Sequence, residues 1–315
     1  MKCRICGNQA GNDRYTAREM MLGLRDTFQY FQCGECGCLQ ISEIPDDIHK
    51  YYPEEYHSFE SISKANFLKS YLRKKRNRYA VFEDSLIGEY LYKRNPEPAI
   101  RSLGSLNISR EAKILDVGCG SGKLLHSLKE LGFENLLGID PFNDDDIHES
   151  NLNILKKTIH DVRGEWDLIM MHHSFEHMPD PLEVLNSISE LLHASGQCLV
   201  RIPVVESYAW ENFKENWVQL DAPRHYYLHS PDSLKLLAEK AGLTIEQAIY
   251  DSTAFQFWGS IQYENDIPLN DQRSYINNPD DSLFSKKDIE NFNQQAEILN
   301  SAGKGDQAVF ILEKE

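Results

Sequence analysis

The chain has 315 residues, a formal net charge of −16 and a hydrophobic fraction of 41%. This length is sufficient for one complete α/β domain and a small additional unit. No apolar run approaches the roughly 18 residues of a membrane-spanning helix, so we expect no membrane span. The acidic charge lies mostly after residue 110, where 16 Lys and Arg face 35 Asp and Glu. This balance disfavours a nucleic acid or another polyanion wrapped over the C-terminal part.

Two cysteine motifs near the N-terminus have the spacing of a zinc site. Each is a C-x-x-C pair followed by glycine, and four thiolates in two such pairs are typical of structural zinc. Two disulfides or a redox C-x-x-C are the alternatives. The chain opens Met-Lys-Cys-Arg without an apolar secretion signal, so we expect a cytoplasmic location that keeps thiols reduced. The sequence predicts a zinc ribbon over residues 1–45, with the ligands Cys3, Cys6, Cys33 and Cys36.

Residues 46–108 are interpreted as a helical, Tyr-rich linker and lid. Their tyrosines concentrate in residues 51–59. A basic segment follows over Lys64–Arg78, in which lysines and arginines alternate with apolar residues. This segment is either a solvated helix face or a clamp for substrate phosphates.

The most informative motif is the run Ile-Leu-Asp-Val-Gly-Cys-Gly-Ser-Gly at residues 114–122. It reads as a buried strand that ends at an acid and enters a glycine turn, followed by a helix up to Gly132. The dinucleotide fingerprint would need Gly or Ala where Lys123 stands. A P-loop would need Ser or Thr where Leu124 stands. Both motifs therefore fail, and the pattern that remains is D-x-G-x-G-x-G.

Three further strands follow in order. Leu136–Asp140 ends in an acid placed for ribose hydroxyls, and residues 153–158 form the predicted third strand. The fourth strand is predicted at residues 166–171, before the run His-His-Ser-Phe-Glu-His-Met-Pro-Asp-Pro at 172–181. Asp180 and Pro181 then begin a predicted helix that ends at Gly196, and the fifth strand is predicted at residues 197–203.

In these motifs the chain resembles the class I S-adenosylmethionine (SAM)-dependent methyltransferases. The resemblance implies a Rossmann-like α/β fold, with a seven-stranded sheet and helices on both faces. An acid beside the glycines suits SAM, because the methionyl end of SAM carries an ammonium and its sulfonium is cationic. The SAM-binding residues that the resemblance implies are Asp116, Gly118, Cys119, Gly120, Gly122, Asp140, Pro141, Ile159 and His172.

The histidines at 172–177 also admit a metal interpretation, since His173 and His177 lie four residues apart. The segment begins as a loop after a strand, however, so helical geometry is not assured. The resemblance instead places this loop at the floor of the methyl-transfer site.

A second candidate region lies after the fifth strand, at residues 206–230. It is rich in aromatic residues and contains Asp221 and His225. His225 is our first candidate for a general base, because imidazole titrates near neutrality and the sugar C-methyltransferases carry a similarly placed histidine. Its motif D-x-P-R-H differs from theirs, and a structural histidine bonded to Asp221 is an alternative. His173 is the second candidate base.

The remaining strands are predicted at residues 243–250 and 308–313. Residues 109–315 thus form the predicted methyltransferase domain, with an insertion at about 255–303. A zinc ribbon before such a domain resembles bacterial methyltransferases of sugar and surface-polysaccharide pathways. The expected acceptor is therefore a small molecule or a sugar-linked compound. An RNA methyltransferase that reads RNA through its ribbon is the alternative, as is a SAM-binding scaffold without catalysis.

Overall fold

The computed structural model describes residues 1–52, 67–106 and 108–315. The predicted Tyr-rich segment from residue 53 onwards and the first residues of the basic segment lie outside the described residues. None of the helices in the described ranges combines the length and the apolar character needed to cross a bilayer.

The N-terminal unit is a small antiparallel sheet. Its strands are β1 (Asp13–Arg18), β2 (Thr27–Gln32) and β3 (Leu39–Ile41). Three helices follow: α1 (Phe67–Phe82), α2 (Leu86–Arg94) and α3 (Pro98–Ser102).

The main sheet begins with β4 (Lys113–Val117), and the elements continue with α4 (Lys123–Leu131), β5 (Asn135–Ile139), β6 (Ile147–Glu149), β7 (Leu152–Leu155), β8 (Trp166–His172), α5 (Pro181–Leu191) and β9 (Leu192–Pro203). The C-terminal part comprises α6 (Tyr208–Phe213), β10 (Tyr227–Leu228), α7 (Pro231–Lys240), β11 (Leu243–Tyr250), α8 (Phe255–Glu264), α9 (Lys286–Ser301) and β12 (Gln307–Lys314).

The main sheet has eight strands in the order β11-β12-β9-β8-β4-β5-β7-β6. The pairs among β9, β8, β4, β5 and β7 are parallel, whereas β11, β12 and β6 pair antiparallel. The chain runs from β4 outward on one side and returns through β8 on the other. The carboxyl ends of β4 and β8 therefore form the switch point where open α/β sheets bind ligands.

The two faces of the sheet bury separate cores. Ile114 of β4 packs in a cluster with Leu125 and Leu128 of α4. Its neighbour Leu115 belongs to the opposite cluster, which includes Leu185 of α5. Successive strand residues point to opposite faces, so these alternating apolar residues require a helical layer on each side.

The sequence prediction of seven strands is wrong by one. The additional strand is β6, a three-residue antiparallel edge strand whose residues are all exposed. Its sequence Ile-His-Glu carries no buried apolar pattern, so nothing in the sequence signals it.

Two element boundaries also differ from the prediction. The third parallel strand is β7, which ends at Leu155 rather than at residue 158. β9 begins at Leu192 and runs through Gly196, where the sequence indicated a helix end. An ideal Cβ on Gly196 would lie 2.7 Å from the carbonyl oxygen of Trp166, which is too close for a real side chain. A glycine at this position therefore allows the close approach of the two backbones.

The N-terminal sheet is completed by a strand from the main domain. Its order is β1-β2-β3-β10, and Tyr227 of β10 pairs with Gln40 of β3. Tyr30 also donates a hydrogen bond to the carbonyl of His225 at 2.9 Å. The segment that carries His225 is therefore held directly by the N-terminal unit.

Candidate active site

The glycine turn has the backbone conformation that the motif predicts. Gly118, Gly120 and Gly122 have φ angles of 76°, 51° and 73°, in the left-handed region that favours glycine. An ideal Cβ on Gly118 would lie 2.4 Å from the Cβ of Ser174. Ser174 in turn donates a hydrogen bond to the carbonyl of Val117 at 2.6 Å. The turn after β4 and the loop after β8 are thus packed against each other.

Two carboxylates lie beside this turn. Asp140 accepts hydrogen bonds from the backbone N–H groups of Gly120 and Phe142, each at 2.9 Å. Each of its oxygens retains a lone pair for a ligand hydroxyl. Burial, together with the charge of Asp140, raises the pKa of Asp116 to about 7. A cationic ligand group beside Asp116 would stabilise its ionised form.

A cavity of about 870 Å³ opens over the turn. This volume is within the usual range for small-molecule sites, about 300–1,000 Å³. The expected SAM residues that line it are Asp116, Gly118, Cys119, Gly120 and His172, together with His173. Among the described residues, Gly122, Asp140, Pro141 and Ile159 are not part of its lining; Asp140 contacts the turn through the backbone N–H of Gly120.

The environment of His172 is evidence that a ligand binds in this cavity. Neither of its ring nitrogens has a hydrogen-bond partner in the described part of the chain. Burial lowers the pKa of His172 well below its ordinary value, so the ring is neutral near pH 7. A buried polar group without a partner is costly, and a bound ligand would satisfy it.

His173 and Glu176 form a dyad at the cavity wall. His173 Nδ1 lies 3.2 Å from Glu176 Oε1, and the His173 side chain is 35% exposed whereas Glu176 is fully buried. Burial would raise the pKa of Glu176, but the hydrogen bond from His173 and the nearby imidazoles lower it to about 2. The ionised carboxylate only accepts, so Nδ1 of His173 carries the proton and Nε2 is free to take one.

His225 has a different environment. It is 7% exposed and does not line the cavity described above. Its Nδ1 donates to the carbonyl of Gln219 at 2.8 Å, and its Nε2 lies 3.9 Å from Glu176 and 3.8 Å from Asp221. Burial lowers the pKa of His225 to about 4, so the ring is neutral near pH 7.

A buried ion network fixes the segment around His225. Arg224 is fully buried and pairs with Asp221 at 2.5 Å and with Glu19 at 3.2 Å. Burial would raise the pKa of Asp221, but the charge of Arg224 lowers it to about 2. Glu19 also accepts from the backbone N–H groups of Leu22 and Leu24. An N-terminal loop is thereby tied to the candidate active site.

Two groups of side chains are close enough to hold a metal ion. The four cysteine sulfurs of Cys3, Cys6, Cys33 and Cys36 lie within 4.8 Å of one another, and so do ligand atoms of Glu176, His177 and His225. The pair His173 and His177, which we considered and disfavoured as a metal site, is not among the groups found in the described residues; Glu176 and His225 rather than His173 lie beside His177.

The cysteine group has the dimensions of a tetrahedral thiolate site. Cys3 Sγ lies 3.7 Å from Cys36 Sγ, and Cys6 Sγ lies 3.5 Å from Cys33 Sγ. Sulfurs around zinc are about 3.8 Å apart, given a Zn–S bond of about 2.3 Å. Gln40 donates from its side-chain amide to Cys3 Sγ at 3.1 Å, which would stabilise a thiolate. All seven cysteines are free in the structure.

Sequence reasoning missed Glu176, and it left open whether the basic segment forms the cationic side of the cavity. Glu176 belongs to the run 172–181, but the sequence does not show that it contacts His173. That contact depends on the left-handed backbone of His173, whose φ is 50°. The cationic side combines α1 with α4, which the sequence does not show to be adjacent. Its members are Arg73, Lys74, Arg76, Lys123 and Lys129, of which Arg73, Arg76 and Lys129 pair with the glutamates Glu130, Glu97 and Glu149 of the same lining.

Comparison with known proteins agrees with this fold. A family described as a methyltransferase domain matches residues 75–248, which is more than half of the chain. A ubiquinone biosynthesis O-methyltransferase from Colwellia psychrerythraea is 32% identical over 109 residues, covering 31% of this chain and 44% of that protein. The mitochondrial enzyme of the same name from Saccharomyces cerevisiae is 36% identical over 87 residues, covering 24% and 28%. The chain thus spans less than half the length of these two relatives.

Solved structures give weaker similarities. A SAM-dependent methyltransferase from Archaeoglobus fulgidus is 24% identical, with a TM-score of 0.41 and coverage of 65% of this chain and 86% of that one. A cyclopropane synthase from Mycobacterium tuberculosis is 15% identical, with a TM-score of 0.45 and coverage of 74% and 87%. The family match covers the glycine turn, both acids and the histidine loop. The chain belongs to this methyltransferase domain family.

Proposed function

We propose that the protein methylates a small, oxygen-bearing acceptor and that His173 removes the acceptor proton. The observation that carries this proposal is the His173–Glu176 dyad, which borders the same cavity as the glycine turn. Methyl transfer is an in-line displacement, so the protein aligns the two reactants and accepts a proton. His225 then has a positioning role, through its proximity to Glu176 and Asp221.

SAM supplies a methyl group bonded to a cationic sulfur. In our proposal Asp116 and the turn Gly118–Gly122 hold its cationic methionyl end, and Asp140 accepts hydrogen bonds from the ribose hydroxyls. Pro141 and Ile159 flank the adenine, and His172 contacts the ligand at the cavity floor. The support is the glycine backbone, the paired acids and the unpartnered ring of His172.

Two lysines of the cavity favour an acceptor with an anionic group, such as a nucleotide-linked sugar. Lys74 and Lys123 line the cavity, and neither has a carboxylate partner within salt-bridge distance in the described ranges. They are free to contact a phosphate or carboxylate of the acceptor. The two relatives described above are O-methyltransferases, which favours an oxygen as the methylated atom.

We also propose that the N-terminal cysteines hold one structural zinc ion. The support is the sulfur–sulfur distances and the amide donor from Gln40. A reducing compartment such as the cytoplasm would keep these thiols available. The division into a ribbon over 1–45, a linker and lid over 46–108 and a catalytic domain over 109–315 is part of this proposal, with the addition that β10 joins the ribbon sheet.

The acceptor class is tested with methyl-labelled SAM and fractionated cell extract. The wild-type protein should label a fraction of small anionic compounds, and treatment with a phosphodiesterase that cleaves the diphosphate of nucleotide-linked sugars should abolish acceptor activity. His173→Gln should lose the labelling, whereas the matched surface control His148→Gln should keep it. Labelling of the RNA fraction alone would favour the RNA methyltransferase, and labelling of no fraction by wild type would favour the scaffold.

A further inference from the structure

An exposed apolar surface lies on the hairpin of α1 and α2. Leu86 is 85% exposed, Ile87 is 66% exposed and Leu68 is 62% exposed. Tyr71, Leu72 and Tyr90 are also exposed and complete the surface. Three of these residues fall on α1 at helical spacing and three on α2, which packs against α1. We call these six residues the hairpin surface. Large apolar side chains exposed in such numbers on one helical hairpin indicate an interaction site.

The hairpin surface is also cationic. Helix α1 contains six Lys and Arg and no acid, in a chain whose net charge is −16. Lys69, Lys74 and Arg94 are exposed, and none has a carboxylate partner in the described part of the chain. Lys75 lies over the ring of Tyr71 at 5.6 Å, and Arg94 lies over the ring of Tyr90 at 5.1 Å. Aromatic and aliphatic side chains interleaved with lysine and arginine fit the interface of an anionic bilayer.

The two helices of the hairpin pack closely against each other. An ideal Cβ on Gly88 of α2 would lie 2.5 Å from the Cβ of Tyr79 and 2.8 Å from the carbonyl oxygen of Lys75, so the two helices are in close contact. Arg78 pairs with Asp84 across the turn that joins them. The residues between the two helices are used for this packing, whereas the side chains of the hairpin surface are exposed to solvent.

We propose that the hairpin surface docks the protein on an anionic phospholipid membrane. Charge complementarity selects this occupant, because a symmetric contact between two copies would bring two sets of α1 cations together. The cationic side of the cavity is formed partly by Arg73 and Arg76 of the same helix α1. Docking therefore sets the cavity beside the membrane, where it is accessible to an acceptor with an anionic head group. This last consequence rests on the proposed function, whereas the docking itself does not.

The test is co-sedimentation of the full chain with vesicles, without SAM or acceptor. Wild type should bind vesicles of phosphatidylglycerol and phosphatidylcholine, lose most binding at high salt, and bind pure phosphatidylcholine weakly. The double variant Leu86→Ser/Ile87→Ser should lose binding. Lys69→Gln/Arg94→Gln should weaken it about 30-fold, given about one factor of five per cation near an anionic surface. The matched control Ile276→Ser/Ile298→Ser removes two exposed apolar residues elsewhere and should bind as wild type.

Several results would overturn the docking proposal. They are equal binding to neutral and anionic vesicles, binding by the Leu86→Ser/Ile87→Ser variant at the wild-type level, and no vesicle binding by wild type. A dimer in sedimentation velocity that dissociates on the Leu86→Ser/Ile87→Ser change would assign the hairpin surface to a second copy instead. Thermal unfolding curves that match wild type confirm that the variants are folded. Because no methyl transfer is measured, failure here leaves the proposed reaction untouched.

Discussion

At the scale of single residues, the candidate site depends on environments that the sequence indicates only in part. The motif predicted Asp116, the glycines and Asp140, because a strand, a turn and an acid at fixed spacing are local features. Local sequence features do not distinguish His173 from His225 as the candidate base. Both are histidines near sheet ends, and only the folded chain shows that His173 borders the cavity while His225 bonds to the Gln219 carbonyl.

The pKa of Asp116 predicts a pH dependence of SAM binding. In the free protein this pKa is raised to about 7, so at pH 6 about nine in ten Asp116 side chains are neutral. The cationic end of SAM favours the ionised form, so binding releases a proton and the affinity should rise about tenfold from pH 6 to pH 8. Calorimetry at both pH values measures this change. In Asp116→Asn the rise should disappear; titration of SAM itself is common to both proteins, so an equal rise in the variant would contradict the assignment.

The two histidines should differ in their effect on turnover. His173→Gln removes the proton acceptor and should lower kcat by about 10²–10⁴-fold, with SAM affinity within about twofold of wild type. His225→Gln removes a neighbour of Glu176 and should lower kcat less, by about tenfold. Steady-state kinetics with the identified acceptor distinguishes the variants. A larger loss in His225→Gln than in His173→Gln would return the base role to His225.

At the scale of elements, sequence prediction succeeded where an apolar pattern is bounded by turn-forming residues such as glycine. β4, α4 and β11 lie where predicted, and Gly132 ends α4 in the left-handed conformation. It failed for β6, which is short and fully exposed, and for β10, a two-residue strand. The pairing of β10 with β3 joins residues about 190 positions apart, and no local signal encodes such a contact.

The pairing of β3 with β10 predicts that the cysteine site affects catalysis. Cys33→Ser should lower zinc content and loosen the N-terminal sheet, which holds the His225 segment through Tyr30 and β10. Turnover should therefore fall, whereas SAM affinity should stay within about twofold of wild type, since the SAM residues lie on the main sheet. Elemental analysis, calorimetry and kinetics measure these effects.

Cys38→Ser is the matched control for this variant. Cys38 is buried beside the cluster, but it is not one of the four cysteines that lie together. The control should retain one zinc ion per chain. Purified wild-type protein without zinc, or a Cys33→Ser variant with unchanged turnover, would contradict the coupling.

At the scale of the whole molecule, the candidate site depends on three units. The main sheet supplies the glycine turn and acids, helix α1 supplies cations to the cavity, and the N-terminal sheet holds the segment of His225, which lies outside the cavity lining. The sequence indicated each unit separately but not their arrangement. The family match shows a methyltransferase domain, and the central claim of our proposal is that SAM binds at the turn after β4.

Calorimetric titration of SAM into wild type and Asp140→Ala tests this claim most directly. Asp140 is buried and holds Gly120, so its removal takes away both a ribose contact and a support of the turn. The loss should be about 1.5–3 kcal/mol, or roughly tenfold to more than a hundredfold in affinity. The control Asp145→Ala, an exposed acid in the following loop, should bind as wild type. Equal SAM affinity in wild type and Asp140→Ala would contradict the account.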